Sequence, residues 1–261
     1  MKRVALKIMG TALAISLVSC GVGDHTESAS HLKVTNGIAV SQSEYPAVAK
    51  LDLYKGWSGG ICTGTWVNDH QLLTAAHCVY SKPKVSVGRV RALSYHIHDD
   101  YDIELNGGVN KYDLAIVNFP EGTAASYRSI ASSTPRVGQK VEIVGFGHNV
   151  VSLSGGRITG TGSGKLRYGR NVLRTPEQEM LKIVGVPRPS EDMKGAGILP
   201  GEYVATGSGD SGGPIFVNGK LVGVTSGGGI SAKYGAKDVA LGLFTDLNSQ
   251  ESRAFLAKYL D

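Results

Sequence analysis

From residue 34 to its end, the chain consists of short apolar segments separated by turns rich in Gly, Asn and Ser. Leu114–Val117, Pro214–Val217 and Leu221–Val224 are examples, and Asn218-Gly219 between the last two is a strong signal for a β-hairpin. Glycine supplies 36 of the 261 residues, roughly twice its ordinary usage, which suits a chain with many tight turns. Segments of this length and spacing predict an all-β barrel or sandwich and not alternating βαβ units.

One helix is predicted, at the end of the chain. Asn248 is the candidate N-cap, with Glu251 at the third helical position. The apolar residues that follow are Phe255, Leu256, Tyr259 and Leu260. Earlier in the chain, residues 129–138 contain Ser-Ser-Thr-Pro and form the best candidate linker between two halves.

The first twenty residues have the features of an export signal. Several basic residues precede an apolar segment at 8–18, so residues 1–19 are predicted to be a secretory signal peptide. Its end, Leu17-Val18-Ser19-Cys20, resembles the lipobox of bacterial lipoproteins, in which a signal peptidase cuts before the Cys and its sulfur becomes lipid-modified. Residues 20–33 are small and polar, as expected of a lipid-anchored tether or propeptide. An ordinary signal peptide with a chance Cys20 is the alternative.

The formal net charge of +5 raises the question of a nucleic-acid partner. The basic residues are scattered, with no run of four or more Lys or Arg. The charge therefore indicates a mildly basic soluble protein and no nucleic acid. No apolar stretch reaches the length of about eighteen residues that a membrane-spanning helix needs, so membrane contact is expected only through a lipid on Cys20.

The chain has 3 cysteines, which are Cys20, Cys62 and Cys78. If Cys20 carries a lipid, one pair remains, and in an oxidising compartment a disulfide between Cys62 and Cys78 is the expected outcome. Such a bridge closes a loop of about 15 residues and could contribute roughly 3 kcal/mol in the chain-entropy model. A metal site is not predicted, because these two cysteines with His70 and His77 do not match the spacing of structural zinc sites.

Three local motifs occur in order along the chain: Leu73–Cys78 (LTAAHC), Asp113–Val117 (DLAIV) and Gly209–Pro214 (GDSGGP). Together they resemble the chymotrypsin-like serine endopeptidases of the trypsin family, whose triad runs His, Asp, Ser along the chain. The resemblance begins near residue 34 and implies two six-stranded antiparallel Greek-key barrels, at 34–135 and 136–261. The active site would lie between the barrels, and a helix would end the chain.

The resemblance also assigns roles to particular residues. It implies that Ser211 is the nucleophile, His77 the general base and Asp113 the acid that orients the imidazole. A Ser hydroxyl is a weak nucleophile at neutral pH, and a His with a pKa of about 6.5 can take its proton and return it to the leaving amine. The backbone N–H groups of Gly209 and Ser211 are implied to stabilise the oxyanion.

Three other carboxylates are rival candidates for the acid, namely Asp99, Asp100 and Asp102. Asp113 is preferred because an apolar strand follows it directly. The rival cluster could bind Ca²⁺, but it lacks a spaced ligand loop, and a solvated turn is the favoured interpretation.

The sequence Lys33-Val34-Thr35-Asn36-Gly37 resembles the zymogen junction of the family. Cleavage after Lys33 would free an ammonium at Val34, and the resemblance implies that this group pairs with Asp210 and orders the oxyanion loop. The same cut would separate the catalytic part from a lipid on Cys20, so activation would also be release. Lys33 as an ordinary linker residue is the alternative.

Aligned on Ser211, Ala205 falls at the floor of the primary specificity pocket, with Thr206 beside it. The other candidates for substrate contact are Ser226, Gly227 and Gly228, on the strand that would pair with the substrate backbone, and Gly242 in the pocket wall. Trypsin-like enzymes place Asp where Ala205 stands, so cleavage after Lys or Arg is not expected and another protease would have to cut at Lys33. These small, uncharged residues predict a preference for an apolar side chain.

The sequence therefore predicts an exported serine endopeptidase that acts on proteins or peptides as a monomer, through an acyl-enzyme and without a metal or organic cofactor. It would be a lipoprotein at the periplasmic or cell surface, released as a secreted protease after cleavage. The alternative from another class is a catalytically silent homologue that acts as a binding module, since one fold can host unrelated functions. A lipid-anchored esterase would share the chemistry, but GDSGGP is not the nucleophile elbow of α/β-hydrolases.

Overall fold

The structure is a computed structural model that describes residues 30–32, 37–106, 108–148, 150–154, 157–185, 199, 201–231 and 239–261. The strands are β1 (Ser30–Leu32), β2 (Ile38–Ala39), β3 (Val48–Lys55), β4 (Ser58–Trp66), β5 (Gln71–Thr74), β6 (Lys84–Val87), β7 (Val90–Arg91), β8 (Ser94–Ile97), β9 (Ala115–Asn118), β10 (Lys140–Gly145), β11 (Val150–Ser154), β12 (Arg157–Thr161), β13 (Arg167–Glu177), β14 (Met180–Val184), β15 (Pro214–Val217), β16 (Lys220–Ser231) and β17 (Val239–Asp246). The helices are α1 (Ala76–Val79), α2 (Ile103–Asn106) and α3 (Gln250–Tyr259). The predicted signal peptide at 1–19, Cys20, Lys33 and Val34 lie outside the described residues.

The N-terminal half folds into one antiparallel sheet with the strand order β7-β6-β3-β4-β5-β9-β8. The strands β5 and β9 lie inside this order, and almost all their side chains are buried. No ladder joins the two edge strands in the described residues. Instead, the peptide N–H of Ala92 donates to the carbonyl of Val85 (3.0 Å) and that of Leu93 to the carbonyl of Asn118 (2.8 Å). Residues 92 and 93, which lie between β7 and β8 in the chain, therefore bridge from β6 to β9. The sheet forms a half-barrel.

The C-terminal half forms a closed barrel. Its strands are hydrogen-bonded in the order β10-β15-β16-β17-β14-β13, and β10 also pairs with β13. The hairpin of β15 and β16 is the one predicted from Asn218-Gly219, whose φ angles of 49° and 75° suit the turn type that matches the twist of a hairpin. The predicted all-β arrangement of two barrel-like sheets followed by a helix is confirmed, with one sheet closed and the other half closed.

A third sheet has three strands and includes a segment from the predicted tether. Its order is β1-β11-β12, and Ser30 lies opposite Leu153. Residues 30–32 therefore pair with a hairpin of the C-terminal half.

Two terminal segments connect the halves. The strand β2 precedes the half-barrel in the chain but pairs with β13 of the closed barrel, with Ile38 opposite Tyr168. The helix α3 follows the closed barrel but packs on the half-barrel, where Gln71 Nε2 donates to the carbonyl of Tyr259 (3.0 Å). Phe255 of α3 is buried in the core cluster that contains the half-barrel. Both segments therefore cross the expected boundary at 135/136, which falls between β9 and β10.

The N-cap of α3 lies one residue later than predicted. The hydroxyl of Ser249, not Asn248, accepts a hydrogen bond from the N–H of Ser252 (3.1 Å). Asn248 lies in the preceding turn, where its N–H donates to Oδ1 of Asp246 (2.9 Å). No helix of the described chain is long and apolar enough to cross a membrane.

Phe255→Ala is expected to lower the free energy of unfolding by about 3–5 kcal/mol, because it removes a buried aromatic side chain and leaves a cavity. Denaturant unfolding measures this change. Leu93→Ala is the control because Leu93 is 71% exposed, and it is expected to stay within about 0.5 kcal/mol of the native chain. Equal losses for the two variants would contradict the placement of α3 in the cooperative core.

Candidate active site

His77 is positioned by a short helix and a disulfide. The strand β5 ends at Thr74 and α1 begins at Ala76, so His77 lies in the first turn after the strand, with its side chain 24% exposed. Cys78, the next residue, is bonded to Cys62 with an S–S distance of 2.00 Å. The predicted disulfide is confirmed, and it ties α1 to β4 beside the imidazole.

The side chain of Asp113 is completely buried and faces His77. His77 Nδ1 lies 2.7 Å from Oδ2 of Asp113, and the peptide N–H of His77 donates to Oδ1 at 2.9 Å. The hydroxyl of Ser226 donates to Oδ2 at 2.7 Å. Three donors compensate a buried carboxylate for its lost hydration. They also favour the tautomer that carries its proton on Nδ1 and leaves Nε2 free to accept one.

The rival carboxylates lie away from the imidazole. Lys258 Nζ in α3 donates to Oδ2 of Asp99 at 2.7 Å, and this bond lowers the pKa of Asp99. Asp100 and Asp102 lie between Asp99 and the start of α2 in the chain. Of the four candidate acids, the structure brings Asp113 against the imidazole.

Ser211 lies in a turn before β15 that both sheets hold through peptide groups. The N–H of Thr63 in β4 donates to the carbonyl of Ser211, and the N–H of Gly212 donates to the carbonyl of Thr225 in β16, both at 2.8 Å. Gly212 has a φ of 79°, and a Cβ there would lie 2.0 Å from Oγ1 of Thr74. Position 212 therefore needs glycine for its conformation and for the space.

The two predicted oxyanion donors are left unused by the fold. The N–H groups of Gly209 and Ser211 have no acceptor within the part of the chain that the structure describes. Gly209 is held by Thr63, whose buried hydroxyl donates to the Gly209 carbonyl at 2.8 Å and accepts from the N–H of Phe146 at 3.1 Å. Thr63 carries no local signal in the sequence, because 146 positions separate it from Gly209.

The hydroxyl of Ser211 makes no hydrogen bond to His77 in the described residues. Nε2 of His77 instead lies 3.9 Å from Sγ of Cys78. Bonds between nucleophile and base are often long without substrate and tighten in the complex. The donor atoms of Cys62, His77 and Cys78 also lie within 4.8 Å of one another, but both sulfurs belong to the disulfide, which leaves one imidazole as a metal ligand.

Asp210 anchors the Ser211 turn from inside. The residue is 3% exposed. Its Oδ1 accepts from the N–H of Gly147 (2.8 Å) and its Oδ2 from the N–H of Gly207 (2.9 Å). Burial raises the pKa of Asp210 to about 6. A Cβ at Gly147 would lie 2.5 Å from Cγ of Asp210, so the carboxyl group occupies the space of a missing side chain.

The predicted pocket residues lie before the turn and on β16 and β17. Ala205 is buried, and Oγ1 of Thr206 donates to the carbonyl of Gly227 (3.1 Å). A Cβ at Gly228 would lie 2.5 Å from the same Oγ1, and Gly242 is opposite Gly228 in the ladder. The structure therefore brings Thr206 and the three glycines together, without a charged side chain among them.

Two further residues enclose these glycines, and neither was identified from the sequence. A Cβ at Gly227 would lie 2.4 Å from Cγ2 of Val109, and one at Gly242 would lie 2.9 Å from Cγ1 of Ile183. Ile183 belongs to the core of the closed barrel. Gly242 is thus packed against the barrel core, and Val109 covers Gly227.

Comparisons with known proteins show what the chain and its fold are similar to. The family model described as Trypsin matches residues 34–249. The chain is 31% identical over 188 residues to a trypsin of Simulium vittatum, an alignment that covers 64% of this chain and 70% of that protein. It is 26% identical over 236 residues to coagulation factor XII of Sus scrofa, which covers 79% of this chain but only 36% of that relative. The solved structure of mouse neuropsin, titled a serine protease, has a TM-score of 0.60 and 20% identity, covering 86% of this chain and 99% of its own.

Gly212→Ala is expected to destabilise the fold more than Gly219→Ala does, by about 1–3 kcal/mol. Both glycines have a similar positive φ, 79° and 75°, but a Cβ at Gly212 meets Thr74 Oγ1 at 2.0 Å while one at Gly219 meets nothing within 4 Å. The matched pair separates steric cost from backbone strain, and denaturant unfolding measures both. Similar losses would show that the Ser211 turn has room to move.

Proposed function

The chain belongs to the trypsin family and is a serine protease, and we propose that it hydrolyses peptide bonds in proteins through a triad of Ser211, His77 and Asp113. The observation that carries this proposal is the contact of His77 Nδ1 with the carboxylate of Asp113, which is completely buried and also bound by Ser226. This arrangement holds the imidazole with its other nitrogen free for proton transfer.

In the proposed mechanism, His77 Nε2 takes the proton of the Ser211 hydroxyl as Oγ attacks the carbonyl carbon of the substrate. Asp113 stabilises the imidazolium that forms. The same proton then passes to the leaving amine, whose departure leaves an acyl ester on Ser211. A water that gives its proton to His77 hydrolyses the ester, and the serine recovers its proton from the imidazolium.

We assign the N–H groups of Gly209 and Ser211 as donors to the oxyanion of the tetrahedral intermediates. Two observations support the assignment: neither N–H has an acceptor in the described fold, and the Gly209 carbonyl is held by Thr63. One donor of this kind contributes about 10²–10³ in rate. Because Thr63 belongs to the half-barrel, this donor pair depends on contact between the two sheets.

The primary pocket is proposed to accept an uncharged, apolar side chain. Ala205 would form its floor, and the hydroxyl of Thr206 is engaged with the carbonyl of Gly227. Ser226 and Gly228 would border the substrate backbone. A cationic substrate side chain would find no carboxylate at position 205, and its desolvation would be uncompensated.

Activation is proposed to follow cleavage after Lys33 by another protease. The new ammonium at Val34 would pair with Asp210, beside which lies a small cavity lined by Gly145, Gly147, Gly169 and Val204. We further propose that the chain is exported and anchored through a lipid on Cys20. The same cleavage would then release the catalytic part from the membrane.

The proposed nucleophile is tested by the intact mass of the chain cleaved after Lys33, before and after exposure to a fluorophosphonate probe. One adduct is expected on the native chain and none on Ser211→Ala.

Asp113→Asn is expected to lower kcat by about 10⁴, because it favours the wrong tautomer of His77. Asp100→Asn, the same change at a residue whose side chain is 67% exposed, is expected to have no effect. A folded chain that has been cleaved after Lys33 and still takes no adduct would favour the silent binding module.

The proposed pocket floor is tested by Ala205→Asp, with Ala205→Asn as the control of equal size. A carboxylate at the floor is expected to raise kcat/KM for peptides with Lys at the cleaved position, relative to Phe, by about tenfold or more, through a charge-assisted contact. Ala205→Asn is expected to leave that ratio almost unchanged. The same ratio for both variants would place the floor at another residue.

A further inference from the structure

Asp210 carries a buried carboxyl group whose charged form would be stabilised by a positive charge nearby. Its two bonds come from the neutral peptide N–H groups of Gly147 and Gly207. Two neutral donors replace only part of the hydration of a buried carboxylate, so a nearby cation stabilises its charged form further. The turn that carries Ser211 and Gly209 depends on this carboxyl group for its internal anchor.

Arg167 enters the same space from the neighbouring strand. In the ladder between β10 and β13, Arg167 lies directly opposite Gly145, and opposite residues of an antiparallel pair project to the same face. A Cβ at Gly145 would lie 2.1 Å from Oδ1 of Asp210. The side chain of Arg167 therefore leaves its strand on the face that the Asp210 carboxyl group occupies. Both residues line the same small cavity.

The guanidinium of Arg167 is itself buried and oriented. The residue is 8% exposed, and its Nη1 donates to the carbonyls of Gly162 (2.9 Å) and Lys165 (3.2 Å). These bonds hold the charge in the protein interior and away from solvent. They use one nitrogen of the planar group, which has five N–H donors in all.

Among the described residues, Arg167 on β13 is the charged group that acts on Asp210. The groups that reach the carboxyl from β10 and from its own turn are Gly145, Gly147 and Gly207, and none of them titrates. The charge of Arg167 lowers the pKa of Asp210 and so opposes the effect of burial. Geometry and electrostatics thus both place the charge of Arg167 across a shared cavity from the Asp210 carboxyl group.

We propose that Arg167 is a positioning residue that keeps Asp210 ionised, and with it the oxyanion turn assembled, in the chain that has not been cleaved after Lys33. This inference rests on the proposed function. It implies that the uncleaved chain has measurable serine reactivity and that cleavage increases an activity already present.

The first test measures the rate of fluorophosphonate labelling in the full chain with Lys33→Gln, which blocks the proposed cleavage. This chain is expected to react. Adding Arg167→Met is expected to slow labelling by about tenfold or more, because the oxyanion donors lose their support, and Arg167→Lys is expected to restore part of the rate. Arg170→Met is the control, since Arg170 lies on the same strand with a 62% exposed side chain, and it is expected to have no effect.

The second test needs no catalysis and follows the free energy of unfolding against pH. An acid whose pKa is raised on folding binds its proton more tightly in the folded state, so stability falls as pH rises from the unfolded value of about 3.9 to the folded value of about 6 for Asp210. Without the cation of Arg167 the pKa of Asp210 rises further. The decline in the Arg167→Met chain is therefore expected to continue about one pH unit higher, while Arg170→Met follows the native profile.

The outcomes separate this inference from the proposed function. Arg167→Met and Arg170→Met with the same labelling rates and parallel stability profiles would overturn the role of Arg167. A Lys33→Gln chain that is inert, beside a cleaved native chain that reacts, would overturn it while leaving the protease function intact. If no form of the chain reacts, the proposed function fails, and the stability profile alone decides whether Arg167 supports the charge of Asp210.

Discussion

The carboxylate of Asp113 is the buried charge on which the whole site depends. Taking a carboxylate out of water costs several kcal/mol unless hydrogen bonds compensate it. Two of its three donors belong to His77 in the half-barrel, and the third is the hydroxyl of Ser226 on β16 of the closed barrel. Full compensation therefore requires contact between the two barrels. For this reason, the contact between the barrels supports the carboxylate that orients the imidazole.

Other contacts couple the site to the same docking. Thr63 of the half-barrel bonds to the carbonyls of both Gly209 and Ser211 in the turn that precedes β15. The strand β2 and the helix α3 each pack on the half to which they do not belong in sequence. Separating the barrels would therefore also break the buried contacts of these two segments, which lie at a distance from the site. The nucleophile turn is thus held by long-range contacts, although its sequence motif is local.

That difference explains what the sequence could predict. The hairpin at Asn218-Gly219 and the apolar strand after Asp113 follow from neighbours in the chain, and the disulfide of Cys62 and Cys78 was the pair that remained when Cys20 was assigned to the lipid. Thr63 and Arg167 could not be found in this way, because each acts through the partner that the fold places beside it. A Thr in a strand or an Arg at a strand start has no local pattern that marks it. The shift of the helix cap to Ser249 is similar, since two adjacent polar residues can both cap a helix and the path of the chain selects one.

Two buried carboxylates lie near Ser211, and their different surroundings suggest where regulation can act. Asp113 has three donors, and two of them come from a residue that can itself become a cation. Asp210 has two neutral donors and a guanidinium that shares its cavity, and burial still raises its pKa to about 6. An added positive charge would therefore stabilise the carboxylate of Asp113 little and that of Asp210 much more. Because Asp210 adjoins Gly209 and Ser211, the less compensated of these two charges lies beside the proposed oxyanion donors. In the proposed activation, a new ammonium there would add to the positive charge that Arg167 supplies across the same cavity, so that activation becomes a matter of degree.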